Sequence, residues 1–317
     1  MKSIGGYFEL ELGKSKTYHN NALCLNTGRN ALEYILLASN YKKVYLPIFS
    51  CEVLLEPIEK HNLDIEFYTI DEFLEPIFDF DIIKQNEGFL YINYFGLKDE
   101  FVNVLANRCT NLIIDNSQGF YSCPLPNIDT FYSPRKYFGV SDGAYLYPTK
   151  RLDVTLEIDF SFDRFEHLLR RIDVSPENGF PIFVKNDLKL RNQSIKKMSK
   201  LTQFILASID YDKCASLRNR NFEFLHNNLQ KRNKLNFDKL KSNASMIYPF
   251  WTENKDLKKT LLENKIYTPT YWPSVKENCK KDSLENKLVN EVVYLPIDQR
   301  QTQKELTKII NIIKNEY

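Results

Sequence analysis

From Asn26 to Tyr147, short apolar runs alternate with segments whose apolar residues recur at helical spacing. After Asn26-Thr27-Gly28, the pairs Ala31-Leu32 and Ile35-Leu36 fall on one helix face. Lys43 to Pro47 reads as a buried strand, Cys51 to Lys60 as a helix and Ile65 to Ile70 as the next strand. Strand Phe89 to Asn93, helix Asp99 to Asn107 and strand Leu112 to Asp115 continue the pattern, and Phe131-Tyr132 and Ala144 to Tyr147 add two more strands. This alternation predicts an α/β domain built on a largely parallel sheet.

From about Arg164 the texture changes to long helices. Ile195 to Ser208 and Lys213 to Lys231 place apolar residues at helical spacing between charged ones. Beyond them, strand Met246 to Phe250, helix Leu257 to Asn264, strand Val292 to Pro296 and helix Lys304 to Lys314 suggest a small α/β unit. The expected division is a large domain over 1–205 and a small C-terminal domain over 206–317. No internal repeat or low-complexity linker separates them.

A chain of 317 residues with 43% apolar and 14% aromatic residues has material for a substantial core. Its 43 basic and 41 acidic residues leave a net charge of +2, which argues against a dedicated nucleic-acid binder. Six cysteines without a CxxC pair and four isolated histidines suggest neither a metal site nor a disulfide framework. The N-terminal stretch has no apolar signal core, and no apolar run approaches a membrane span. The expectation is a reduced, cytoplasmic protein with no membrane partner.

In parallel α/β sheets, ligands bind beyond the carboxyl ends of the strands. Three segments stand at such ends. Thr27-Gly28-Arg29-Asn30 opens a helix, where backbone N–H groups and the helix dipole suit a phosphate, although Thr27 also suits a plain N-cap. Asp115 ends an apolar strand, so its carboxylate wants a positive partner or hydrogen-bond donors. Capping the next turn would satisfy it, and so would a protonated heterocycle nitrogen, with Gln118 over the flat ring. Finally, DTFYSPRKYFG places Ser133 and Lys136 in one short turn among aromatic residues. A solvated Arg-Lys turn accounts for it. So does a lysine that Phe131, Tyr132, Tyr137 and Phe138 desolvate, freeing the amine for covalent chemistry.

Taken together, a phosphate anchor, an acid for a ring nitrogen and a lysine 21 residues beyond that acid are the three anchors that pyridoxal phosphate needs. Over most of its length the chain resembles the pyridoxal-phosphate-dependent sugar aminotransferases of the DegT/StrS type, fold type I. Asn26 to Leu32 is similar to the family's phosphate segment, and Val44-Tyr45-Leu46-Pro47 with Phe49-Ser50 to its next strand and aromatic residue. Tyr94-Phe95-Gly96, Ile114 to Gln118, the Ser133 to Lys136 turn with Asp142-Gly143, Thr270-Tyr271-Trp272-Pro273 and Leu295 to Arg300 resemble further family motifs.

The resemblance implies a three-layer α/β/α large domain with a smaller α/β domain. It implies an aminotransferase that moves an amino group, from glutamate, onto a keto sugar linked to a nucleotide, in polysaccharide or secondary-metabolite synthesis. Lys136 would bind the cofactor covalently and shuttle protons, and Asp115 would hold the ring nitrogen. Gln118 and Phe49 would pack on the ring, while Gly28, Arg29, Asn30 and Ser133 would hold the phosphate. A homodimer with sites at the subunit interface is implied as well. The chain departs from the pattern at Arg29, where a small hydroxyl residue is usual, and at Phe131, where a serine is usual. Another reaction on the same fold, such as dehydration, or a non-catalytic binding role are the alternatives. The lysine at 136 speaks against the dehydratase relatives, which carry histidine there.

Overall fold

The computed structural model describes residues 4–13 and 15–316. An eight-stranded sheet is built from β1 (Leu23–Leu25), β2 (Lys43–Pro47), β3 (Asp64–Ile70), β4 (Pro76–Ile77), β5 (Glu87–Ile92), β6 (Leu112–Asp115), β7 (Asp129–Tyr132) and β8 (Ala144–Tyr147). Its order is β1-β8-β7-β6-β5-β2-β3-β4. The five strands β3, β2, β5, β6 and β7 run parallel, and β8, β1 and β4 pair antiparallel at the flanks. Every residue of β5 and β6 is buried, as expected of strands covered on both faces.

Helix α1 (Gly28–Ser39) starts where the Thr27 hydroxyl accepts a hydrogen bond from the Asn30 N–H at 3.1 Å. It stops at Asn40, which adopts the left-handed conformation (φ 54°). Its residues Arg29 to Leu36 are all buried, and the helix packs against β7 and β8. Helices α2 (Leu55–Lys60) and α3 (Asp99–Ala106) follow β2 and β5. After β8 come α4 (Glu166–Asp173) and α5 (Pro176–Lys189), which pack on each other, then α6 (Lys200–Leu206) and α7 (Tyr211–Leu229).

The helix expected over Ile195 to Ser208 is shorter than its apolar spacing suggests. Lys197 forms isolated bridges to Leu25 and Ile158, and the Met198 N–H donates to the Cys24 carbonyl at 3.0 Å. The sheet edge claims this backbone, and α6 begins only after Ser199 caps it. The remaining chain forms β9 (Ile247–Trp251), α8 (Leu257–Glu263), α9 (Val275–Asn278), α10 (Leu284–Glu291), β10 (Val292–Pro296) and α11 (Gln303–Asn315), with β9 and β10 paired antiparallel. Helix α11 packs on α7 and α8.

After β10, Asp298 is held by Arg300 at 2.7 Å. Burial alone would raise this carboxyl, but the hydrogen bonds and charge of Arg300 prevail and hold it at about 2. A depressed carboxyl contributes stability that is complete above its ordinary value near about 4 and is lost as the pH falls through the depressed one. Arg300→Gln is therefore expected to shift acid unfolding to higher pH, as read by circular dichroism over about pH 2 to 5.

Candidate active site

Because β1 and β7 both lie antiparallel to β8, they run in the same direction. The carboxyl ends of β1, β2, β5, β6 and β7 therefore line one edge of the sheet. Five chain segments meet there: the start of α1, the turn after β2, the turn after β5, the Asp115 loop and the lysine turn.

Asp115 is the last residue of β6, level with Phe131 on the neighbouring β7. It is 5% exposed, and its carboxylate accepts the Ser117 N–H at 2.7 Å. Among the described residues no cation lies within ion-pair distance of it. Burial raises this carboxyl above its ordinary value, while the charge of Lys136 and hydrogen bonds from Ser117 pull it back. Asp115 and Lys136 thus feel each other across adjacent strand ends.

Lys136 closes a short 3-10 turn, Pro134–Lys136, with its N–H on the Ser133 carbonyl at 3.2 Å. Its side chain is exposed, and among the described residues its amine has no hydrogen bond or ion pair. This corrects the expectation of a desolvated amine. Phe131, Tyr132, Tyr137 and Phe138 are all buried in the core, and the turn points Lys136 the opposite way. Its neighbour Arg135 pairs with Asp187 of α5 at 2.8 Å.

At the start of α1, a Cβ on Gly28 would lie 3.9 Å from the Ser117 hydroxyl, so the Asp115 loop and the helix start share one small space. The N–H groups of Gly28 and Arg29 have no partner within the helix, as befits its first turn. The side chains beside them are engaged elsewhere. Arg29 is buried and bound by Glu56 at 3.2 Å and Asp187 at 3.6 Å. Asn30 donates its backbone N–H to Thr27 and its amide to Glu33 and to the Gln193 carbonyl. This withdraws the Asn30 donors from any phosphate and leaves Arg29 only its backbone. Ser133 is buried and caps nothing with its hydroxyl.

Gln118 is 1% exposed; its amide oxygen accepts from the Phe95 N–H at 2.9 Å and its carbonyl from the Tyr137 hydroxyl at 2.6 Å. Its amide nitrogen is buried without a partner, a donor left over for an acceptor outside the chain. Phe49 is fully buried, stacked on Tyr94 at 5.7 Å and edge-on to Trp272 at 4.8 Å.

The turn after β5 is set by Gly96, at φ 72°. A Cβ there would stand 2.8 Å from the Gln118 carbonyl. Gly96→Ala is expected to cost about 3 kcal/mol, from left-handed strain and the contact together. Its urea midpoint would measure this.

Three further residues belong to the neighbourhood. Ser117 holds Asp115 and faces Gly28. Cys51 has a thiol that burial raises and that feels the charges of Lys136, Arg29 and Asp115. Tyr271, raised by burial, feels Tyr137 and Cys51. Ser117 was visible as a polar residue beside Asp115. A cysteine four residues past a strand carries no comparable signal.

No protein-family model matches the chain, and no curated protein matches it in sequence. Solved structures do match it in shape. A sugar aminotransferase of Micromonospora echinospora superposes with a TM-score of 0.62 at 16% identity, over 94% of this chain and 88% of that one. A putative sugar aminotransferase of Streptococcus pneumoniae, in a PMP form, gives 0.62 at 13%, over 93% and 87%. A GDP-4-keto-6-deoxy-D-mannose-3-dehydratase of E. coli with bound hydrated PLP gives 0.62 at 12%, over 92% and 87%.

The chain has the fold of these type I enzymes.

Within this fold, these residues fit pyridoxal phosphate. The unpaired buried carboxylate of Asp115 suits a protonated ring nitrogen, and the orphaned Gln118 amide suits a ring oxygen. The free amine of Lys136 suits an aldehyde, and the first turn of α1 with Ser117 and Ser133 suits a phosphate.

Proposed function

We propose that the chain is a pyridoxal-phosphate-dependent aminotransferase acting on a nucleotide-linked keto sugar with glutamate as donor, in polysaccharide or secondary-metabolite synthesis. The observation that carries this reading is the pairing of a buried, cation-free Asp115 with a free Lys136 amine at adjacent strand ends. The neighbours named as sugar aminotransferases support it. Bound pyridoxal phosphate supplies the electron sink that allows a C–H bond beside nitrogen to break. Asp115 would hold the ring nitrogen with its proton, and Lys136 would take and return the proton at the reacting carbon. Gly28, Arg29 and Ser133 secure the phosphate through backbone N–H groups and a hydroxyl. Lys136 favours transamination over dehydration.

The reading includes a cytoplasmic homodimer and a division into 1–205 and 206–317. Exposed apolar side chains on and before the α4–α5 pair, among them Phe160, Phe162, Ile172 and Phe180 at 62 to 80% exposure, support a second copy. Light scattering is expected to return twice the mass of the 37.4 kDa chain.

The deciding experiment is a half-reaction. Purified protein given pyridoxal phosphate is expected to turn yellow, and glutamate is expected to convert the bound cofactor to its amine form. Protein that ignores the cofactor would sink the reading. Protein that binds it but does not respond to any amino donor would leave another chemistry on the same site.

A further inference from the structure

Arg218, on α7, is 1% exposed and, among the described residues, belongs to no ion pair. The carboxylate nearest in sequence to its partners, Asp298, is held by Arg300. Asp298 acts on the Arg218 charge only from beyond ion-pair distance; a buried cation without a direct counter-charge is costly, and well-made hydrogen bonds offset that cost. Those of Arg218 tie three chain segments together. Its Nε donates to the Gln299 amide oxygen at 3.0 Å, and one terminal nitrogen donates to the carbonyls of Ser245 at 3.1 Å and Met246 at 3.2 Å. The other reaches the Tyr137 carbonyl at 3.4 Å, and the guanidinium lies over the Tyr137 ring at 4.3 Å. Gln299 completes the arrangement by donating its own amide to the same Tyr137 carbonyl at 3.0 Å.

Tyr137 is the residue after Lys136. Its carbonyl is therefore gripped by two side chains from α7 and the turn after β10, its ring lies under a cation, and its hydroxyl is fixed on the Gln118 carbonyl. The same hub reaches the turn after β5, because the Met246 N–H donates to the Phe95 carbonyl at 2.9 Å. Among the described residues the Lys136 amine has no hydrogen bond or ion pair, so the backbone that carries it sets its position.

We infer that Arg218 and Gln299 are positioning residues for Lys136: by clamping the Tyr137 carbonyl they lock the lysine turn onto the C-terminal segment. A plain neutral contact would hold α7 in place without a buried charge; a charge with a planar fork holds one carbonyl in one place. The inference rests on the proposed function for its chemical meaning, and on the hydrogen bonds alone for its structural one.

Gln299→Met is the first test, because Gln299 is half-buried and uncharged, and Arg218 keeps its bonds to the Ser245, Met246 and Tyr137 carbonyls when it is lost. In protein without cofactor, amide hydrogen exchange at Tyr137 and Phe138 is expected to rise about tenfold, while β5 exchanges as before. In protein mixed with pyridoxal phosphate and quenched with borohydride at intervals, labelling of Lys136 is expected to slow about tenfold, and labelling of surface lysines is not. Arg218→Lys is expected to recover part of the labelling rate lost in Arg218→Met; if Arg218→Met does not fold, Gln299→Met carries the comparison. Wild-type exchange at Tyr137 and Phe138 together with wild-type labelling in Gln299→Met would overturn the inference. If wild-type Lys136 is never labelled but exchange still rises in the variant, the cofactor reading fails and the clamp stands.

Discussion

Lys136→Ala is expected to abolish amino transfer, by at least about 10³-fold, while leaving the melting temperature within error of wild type. Both halves come from the same observation. The side chain is exposed and its amine has no partner among the described residues, so its removal breaks no contact. Yet its charge is the one that pulls the buried Asp115 carboxyl down. Initial rates with glutamate as donor, alongside a thermal scan, test the pair of outcomes together. A variant that loses activity and stability in step would show a structural lysine instead.

Asp115→Asn is expected to lower amino transfer by about 10² to 10³-fold, or roughly 3 to 4 kcal/mol of transition-state stabilisation. It should do so without destabilising the protein alone. Burial raises the Asp115 carboxyl against the pull of Lys136 and Ser117. A group raised in the folded state favours folding only while protonated, below its ordinary value, and that favour is lost as the pH rises through the raised one. Above the raised value the ionised carboxylate is a burden that a protonated ring nitrogen would relieve. The cofactor-free variant should melt at or above the wild-type temperature at pH 7. Added pyridoxal phosphate should raise the wild-type midpoint more than that of the variant. A variant that gains as much from the cofactor as wild type would show that Asp115 does not meet the ring nitrogen.

The strands that build the site were the most legible part of the chain. β2, β5 and β6 are covered on both faces, so their apolar runs are continuous and their ends are sharp; Asp115 stands out because a carboxylate interrupts such a run. The three residues of β1 were not legible, since a short antiparallel flank has neither length nor alternation. Ile195 to Met198 keeps helical spacing but is taken by the sheet edge at Leu25 and Cys24, a tertiary contact that local periodicity does not contain. The lysine turn shows the same limit. Its aromatic neighbours in sequence suggested a dry amine, but a 3-10 turn separates residues that are adjacent in the chain, sending Tyr137 inward and Lys136 outward. Asn30 looked available beside a helix start, and three partners claim it. Arg218 was invisible, because an arginine among charged residues on a helix reads as solvated. Only the fold shows that it is buried.

The grip on Tyr137 also has a consequence for the order in which the molecule becomes competent. Residue 137 is synthesised 162 positions before residue 299, and the strand pairs β5-β6 and β6-β7 that carry Asp115 are complete by residue 132. On the ribosome, the sheet can therefore assemble while the reactive amine still wanders on a loose turn. The turn sets only when the segment after β10 has emerged and folded back. A nascent chain of this protein would be a shape before it is a catalyst.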